Sequence, residues 1–348
     1  MRFNAPAGWR LGLALALVLA LMLPAPAVAA PPLHTYTRAE HHMGSRFTFT
    51  VVAADSATGQ RALRAAFAEV GRLDHLLSFW DSASVVTQIN QLAGVRPVAV
   101  DAETFALFQR TRRLGQLSRG AFDITFASAD KLYKFDRQAH PALPDSAAVR
   151  ASVRRIGYQK IRLDSVARTV GLPERGMRLN LAGILQGYAI RRARQVLTGY
   201  ALGGGLLNGS GDILCWGRQA DGSRWRVAIG DPDHPRSIAA WVDVTDVAVV
   251  TAGNYEQFFT VGGRVYGHIL DPRTGYPATG LRSVTIVCPD VELADGLDEI
   301  VFVQGPVAGL AFINGLRGVE CALITDDNQI LVSKGLKTNY YRGTSTKP

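Results

Sequence analysis

The chain changes character at Gly203. Before it, long stretches carry apolar residues at helical spacing. "ATGQRALRAAFAEVGRLDHLLSFW", "AETFALFQRTRRLGQLSRG" (102–120) and "GILQGYAIRRARQVLTGYA" (183–201) each read as a helix. After it, "WRVAIGDP", "IAAWVDVTDVAVVTAG" and "GRVYGHILDP" read as short strands closed by Gly or Asp-Pro turns. "RFTFTVVAA" (46–54) adds an early strand, and "ECALITDDNQILVSKGL" a late hairpin around Asp326–Asn328. Helices and strands are interspersed without a strand-then-helix rhythm, so the fold class expected is α+β rather than a doubly wound parallel sheet. "GYALGGGLLNGSGD" reads as a turn feeding a buried strand. No Walker motif and no G-x-G-x-x-G after a strand is present.

The 348 residues allow a sizeable core. The first segment stands apart from it. Arg2 and Arg10 precede the 13-residue apolar run "LGLALALVLALML", and the small residues "PAPAVAA" follow. Basic, apolar, then A-x-A predicts a secretory signal over 1–29, cleaved near Ala29, and a periplasmic protein. A retained anchor is the other reading, but thirteen residues make a short span. No Cys lies near the cut and no twin-Arg pair precedes the run. Residues 30–42 then form an extension, 43–336 the domain and 337–348 a tail. No later stretch approaches about 20 apolar residues, which predicts a soluble mature chain.

The formal charge is +9, and it falls by two when Arg2 and Arg10 leave. A basic excess suits an anionic ligand such as a phosphate. No basic block is interleaved with aromatics, so nothing points to nucleic acid. Cys215, Cys288 and Cys321 lie in apolar contexts far apart in sequence, and read as buried strand thiols.

Polar residues sit where a purely structural chain would not need them. "RGAFDIT" (119–125) places Asp123 among apolar neighbours, and "LNLAGILQGYA" places Asn180 and Gln186 at a helix start, where free N–H groups suit phosphate. "HILDPRTGYP" (268–277) joins His268, Asp271 and Arg273 on a Pro-Gly turn. "ELADGLDEIVF" (292–302) holds Glu292, Asp295, Asp298 and Glu299 before an apolar run. On a helix, Asp295 and Glu299 share a face and repel unless water or a cation separates them. Glu292 and Asp298 read as acids at a solvated helix start, where they favour the dipole.

In this order the motifs resemble the FAD:protein FMN transferases, the ApbE family, from about Met43 to Leu336. "HHMGSRFTF" is similar to the family's Met-Gly-Thr opening. "LLSFWDSASVVTQIN" resembles its Leu-Ser-x-Tyr…Ser-Glu…Asn segment. "GAFDIT" and "HILDPRTGYP" are nearly identical to family patterns. "LNLAGILQGYAI", "LLNGSGDI", "VVTAGNYEQFF" and "ELADGLDEIVF" resemble Leu-Asp-Leu-Gly-x-Ile-x-Lys-Gly-Tyr-Ala, Asn-x-Gly-Gly-Asp, Thr-Ser-Gly-Asp-Tyr-Glu and Ala-Asp-Ala-Leu-Ala-Thr.

The resemblance implies two T-fold-like α+β repeats with FAD between lobes. It implies transfer of FMN from FAD to a Ser/Thr hydroxyl of an acceptor protein, with Mg²⁺ and release of AMP. The acceptor expected is an exported or membrane electron-transfer subunit carrying a flavinylation motif. By position, the flavin lies against Met43 and Trp80. Ala121, Phe122 and Asp123 line the FAD site, and Asn180, Gln186 and Ile269 add contacts. Mg²⁺ ligands come from the Gly183 backbone carbonyl, Asp295 and the side chain at 299. His268 is the candidate to deprotonate the acceptor hydroxyl. This chain has Glu299 where the family usually has Thr, Asn180 for Asp, Gln186 for Lys, Ser210 for Gly and Ala252 for Ser. Two other flavin readings stay open: a relative that holds FAD without transferring FMN, and an FAD pyrophosphatase that uses water as acceptor.

Overall fold

The computed structural model describes residues 32–340 except 130–131, 141, 231–237, 256 and 338. The signal expected over 1–29 lies outside these residues, as does most of the tail expected over 337–348. Residues from Leu33 onward cluster as one unit.

Its frame is one antiparallel sheet. β1 (His34–His42) and β2 (Ser45–Ala53) form an edge hairpin, so most of the extension expected before Met43 is strand. β3 (Val98–Ala99), β4 (Arg162–Asp164) and β5 (Thr169–Gly171) make a small separate sheet. β6 (Gly204–Gly209), β7 (Asp212–Gly217), β10 (Val247–Gly253), β13 (Leu281–Cys288), β14 (Glu320–Thr325) and β15 (Ile330–Val332) complete the main sheet, in the order β1-β2-β6-β7-β10-β13-β14-β15. The α+β expectation holds, and the hairpin expected around Asp326–Asn328 joins β14 to β15.

One face of the sheet carries the helices. Phe47, Phe49 and Val51 on β2 alternate inward to the main core, while Val52 points the other way, to Cys215 and Trp225. That second face is covered by β8 (Trp225–Gly230) and β9 (Ile238–Val244), which pair with each other. The three cysteines are free and buried, as their apolar contexts predict.

Within "GYALGGGLLNGSGD" the turn is Ser210–Gly211 and the buried strand is β6, paired on both sides. Its glycines are a packing requirement. A Cβ at Gly205 would lie 2.2 Å from the Trp216 ring across the ladder. The glycine run therefore makes room for a large cross-strand neighbour rather than a bend.

Three helices position the site. α1 (Ser56–Leu77) is capped by the Asp55 carboxylate, which accepts from the Thr58 N–H. α2 (Val85–Gln91), α3 (Ala102–Leu117) and α4 (Ser146–Ser152) precede α5 (Ala182–Leu197), and α6 (Val291–Asn314) follows β13. α6 begins at an Asp290 cap and breaks at Gly305–Pro306. It is the one helix among the described residues long and apolar enough to cross a membrane by length and composition, which the sequence reading missed. The acids in its first turns interrupt the apolar run that the reading looked for. Here its Leu297, Ile300, Val301 and Phe302 are buried in the main core.

α5 and α6 cross antiparallel through two glycines. A Cβ at Gly183 would stand 3.1 Å from Glu299 Cγ, and one at Gly187 would stand 2.5 Å from the Val291 carbonyl oxygen and 2.8 Å from Asp295 Cβ. In an exposed helix interior, Gly→Ala stabilises by about 1 kcal/mol. Gly187→Ala is expected to do the opposite, lowering unfolding free energy by about 1–3 kcal/mol, because a backbone carbonyl must move. Urea denaturation of wild type and variant checks the sign.

Candidate functional site

The glycine contact puts the acids of α6 at one end of a cavity of about 550 Å³. Every residue that the resemblance assigns to the FAD or metal site lines it, whereas Asp271, Arg273 and Glu292 do not. Met43 sits in the β1–β2 turn at φ 53°, with its N–H donating to Asp74 Oδ2 at 2.8 Å. Trp80, just past α1, is 81% exposed at the rim, its ring edge-on to Phe79 at 5.2 Å. An exposed indole on a cavity rim offers a flat apolar surface.

Ala121, Phe122 and Asp123 form a buried wall after α3. Asp123 accepts from the Thr125 N–H at 2.8 Å and the Tyr158 N–H at 2.6 Å, so it caps the turn over Ile124–Ser128 as well as facing the cavity. Burial pushes its carboxyl above the usual range, opposed by those hydrogen bonds. Asn180 is tied to the same wall: its N–H donates to the Ile124 carbonyl at 2.8 Å, and its Oδ1 accepts from the Ala182 N–H at 3.0 Å. Gln186 reaches from α5 to the Ser45 hydroxyl at 3.1 Å. His268 and Ile269 also line the cavity, and the His268 N–H donates to the Gln257 carbonyl at 3.0 Å. Asp271 turns back on its own loop and pairs with Arg273 at 2.8 Å.

At the acidic end, Gly183, Asp295 and Glu299 come together as the sequence reading groups them. The Gly183 backbone leaves helical geometry at φ −82°, ψ 20°. The Gly187 N–H, which an undistorted helix aims at the Gly183 carbonyl, donates to Asp295 Oδ2 at 2.8 Å.

Two further carboxylates line the cavity that the sequence reading left out, Asp212 and Asp298. Asp212 opens β7, inside the "NGSGD" motif, and that motif was the available signal. Asp298 was misread. It is 4% exposed, with Oδ1 buried and without a hydrogen-bond partner among the described residues. Glu292 was misread too. It is 3% exposed and held by Arg110 at 2.5 Å and Arg191 at 2.6 Å. Both guanidiniums lie over the Tyr188 ring, 5.6 and 5.5 Å from its centre. The solvated-start reading fails because this helix start is buried on nearly every side, so each acid must find a cation or face the cavity.

Asp295 is held well above the usual carboxylate range by burial first, then by the charges of Asp212, Glu299 and Glu292, against the Gly187 N–H. Asp298 is raised by burial and by the neighbouring Asp295 and Glu299. Burial pushes Glu299 up to about 7.

An α+β sheet backed by helices, with buried carboxylates at one end of a long mixed cavity, defines a ligand-binding protein with an acidic site. The ApbE family model matches residues 43–323. An FAD:protein FMN transferase of Treponema pallidum is 33% identical over 86% of this chain and 87% of its own length. A Klebsiella pneumoniae FAD:protein FMN transferase is 28% identical over 84% of this chain and 89% of its own. The crystal structure of an ApbE protein from Thermotoga maritima superposes with a TM-score of 0.78 at 27% identity, covering 86% of this chain and 97% of that one. The Pseudomonas stutzeri flavinyl transferase ApbE gives 0.76 at 26% identity, covering 87% and 96%. This chain belongs to the ApbE family, and by that kinship it is a flavin transferase.

The acids make a pH prediction for the protein without added cation. Their folded pKa values lie above the unfolded ones, so the folded state gains relative stability when they are protonated and loses it as pH rises. For Glu299 the loss runs from the ordinary Glu range of about 4.3 to the folded value of about 7. The thermal midpoint is expected to fall between pH 5.5 and pH 8. Glu299→Gln should flatten that fall and raise the midpoint at pH 8, which calorimetry checks.

Proposed function

We propose that this chain is an exported, Mg²⁺-dependent FAD:protein FMN transferase that moves FMN from FAD to a Ser/Thr hydroxyl of an acceptor protein and releases AMP. The observation that carries the reading is one cavity lined both by an exposed indole, Trp80, and by buried carboxylates. FAD needs an apolar plane for the isoalloxazine and, for its anionic pyrophosphate, a cation that carboxylates can hold. The reading includes two T-fold-like repeats with FAD between lobes. It also includes export by the 1–29 signal to the periplasm, where the acceptor is an exported or membrane electron-transfer subunit.

The donor set fits Mg²⁺. Asp295, Asp298, Glu299 and Asp212 offer hard oxygens, and Asp298 Oδ1 lacks a hydrogen-bond partner among the described residues. Among those residues no three His, Cys, Asp or Glu side chains stand close enough to share one ion. A site with few protein oxygens suits Mg²⁺, which keeps water and substrate oxygens in its shell. When bound, the ion neutralises charge on the pyrophosphate. The Gly183 carbonyl, Asp295 and Glu299 would hold it.

The chain's own residues do the rest. Trp80 and Met43 orient the flavin, while Asp123, Asn180 and Gln186 bind along its length. His268 accepts the proton of the acceptor hydroxyl as the new oxygen–phosphorus bond forms and the bond to AMP breaks. Positioning and charge, rather than covalent chemistry from the protein, drive a transfer of this type.

Incubation with FAD, Mg²⁺ and an acceptor bearing a Ser/Thr flavinylation motif should add one FMN to the acceptor mass and release AMP. Intact bound FAD without a mass gain would replace this reading with a flavin-holding relative. AMP without a labelled acceptor would replace it with an FAD pyrophosphatase. Asp295→Ala should abolish transfer, and unchanged transfer would remove Asp295 from the site. Glu299→Thr separates ligand from obstruction. A ligand role predicts at least a tenfold rise in the Mg²⁺ concentration for half-maximal rate, about the loss expected from one weakened metal contact. A higher kcat at unchanged Mg²⁺ requirement would mark Glu299 as an impairment.

A further inference from the structure

A second cavity, of about 310 Å³, lies beside the first and has no part in the site described. Two aromatic side chains, Tyr133 and Phe259, line it with Leu132 and Leu143. β11 (Phe258–Val261) and β12 (Arg264–Gly267) form a hairpin in which Phe259 and Tyr266 are paired, their rings stacked at 5.3 Å. Tyr133 stacks on Phe259 at 5.8 Å, and Phe135 lies 5.6 Å from it. The segment 137–140 is laced to the hairpin by backbone hydrogen bonds, His140 N–H to the Thr260 carbonyl at 2.7 Å among them.

The hairpin grows out of the catalytic cavity. Gln257 and His268, at its base, line that cavity, and Phe135 meets the His268 ring edge-on at 6.5 Å. Phe259 is two residues from Gln257, about 7 Å along a strand. A chain that presents a hydroxyl to His268 therefore passes over Phe259 within two or three residues. Charge marks the groove for a partner: Lys134 lines it, and the acid nearby, Asp136, is paired with His140 at 3.0 Å.

We propose that this groove docks the acceptor: an extended segment that places an apolar side chain, two or three residues from the modified hydroxyl, against Tyr133 and Phe259, with an adjacent acidic residue at Lys134. The inference rests on the transferase reading for its occupant and deepens it by naming the recognition chemistry, an aromatic-lined pocket with a cationic rim.

The probe is a fluorescein-labelled peptide with one Thr, a Leu two residues away and an Asp beside the Leu, titrated into FAD-loaded full-length protein and followed by anisotropy. The wild type is expected to bind it. Phe259→Ala should weaken binding about tenfold, as for a buried aromatic anchor, and Lys134→Glu at least about fivefold. The Leu→Ser peptide should lose affinity for the wild type and be nearly indifferent to Phe259→Ala. Lys134 is exposed, so its variant remains informative where Phe259→Ala does not fold. FAD affinity, read by flavin fluorescence on the same proteins, is the control for an intact first cavity. No binding to the wild type, or binding that neither variant changes, overturns the proposal. Groove-dependent binding without FMN transfer would leave the groove standing and overturn the transferase reading alone.

Discussion

The site depends on how closely α5 can approach α6. Two glycines four residues apart on one helix face two acids four residues apart on the other, Gly183 against Glu299 and Gly187 against Asp295. A methyl group at either glycine would separate the helices or displace a carboxylate. Closeness also creates the chemistry. It brings the Gly187 N–H to Asp295 and keeps water from the carboxylates, so their charge is unrelieved without a cation or ligand.

The cost of that arrangement is met nearby. Glu292, one turn before Asp295, is gripped by Arg110 from α3 and Arg191 from α5, which fastens the start of α6 to both helices. Arg192, next along α5, joins Glu69 of α1 and Glu103 of α3, where Arg72 also binds. Arg191 and Arg192 of α5 are thus internal braces. The same helix carries cations that hold it to its neighbours and glycines that admit the acidic site. Buried ion pairs add little net stability, but removing one partner is costly, so they specify a single placement of α6.

The aromatic hairpin extends the same logic outward. Its base adjoins Gln257 and His268 of the first cavity, and its Phe259 lines the second. On the docking proposal, one short element couples recognition to the site.

Much of this was legible in the chain. Periodicity located α1, α3 and α5, and motifs in order named most of the polar residues that meet in the cavity, Asp212 and Asp298 excepted. What failed was the reading of acids by local context. Asp298 and Glu292 look like the solvated start of a helix because a single segment shows only the spacing of its charges, not what packs on it. The reason for glycine in "GGLLNG" is likewise not local, because the need for room beside Trp216 comes from the strand across the ladder. The amino-acid sequence by itself determined the α+β class, the helices and the residue types of the site, since these follow from spacing and side-chain chemistry along one chain. Only the tertiary structure decided which carboxylates are buried together, which are braced by arginine and where Phe259 lies relative to His268. Burial and charge are properties of what surrounds a residue, and here those surroundings come from segments up to 182 positions away.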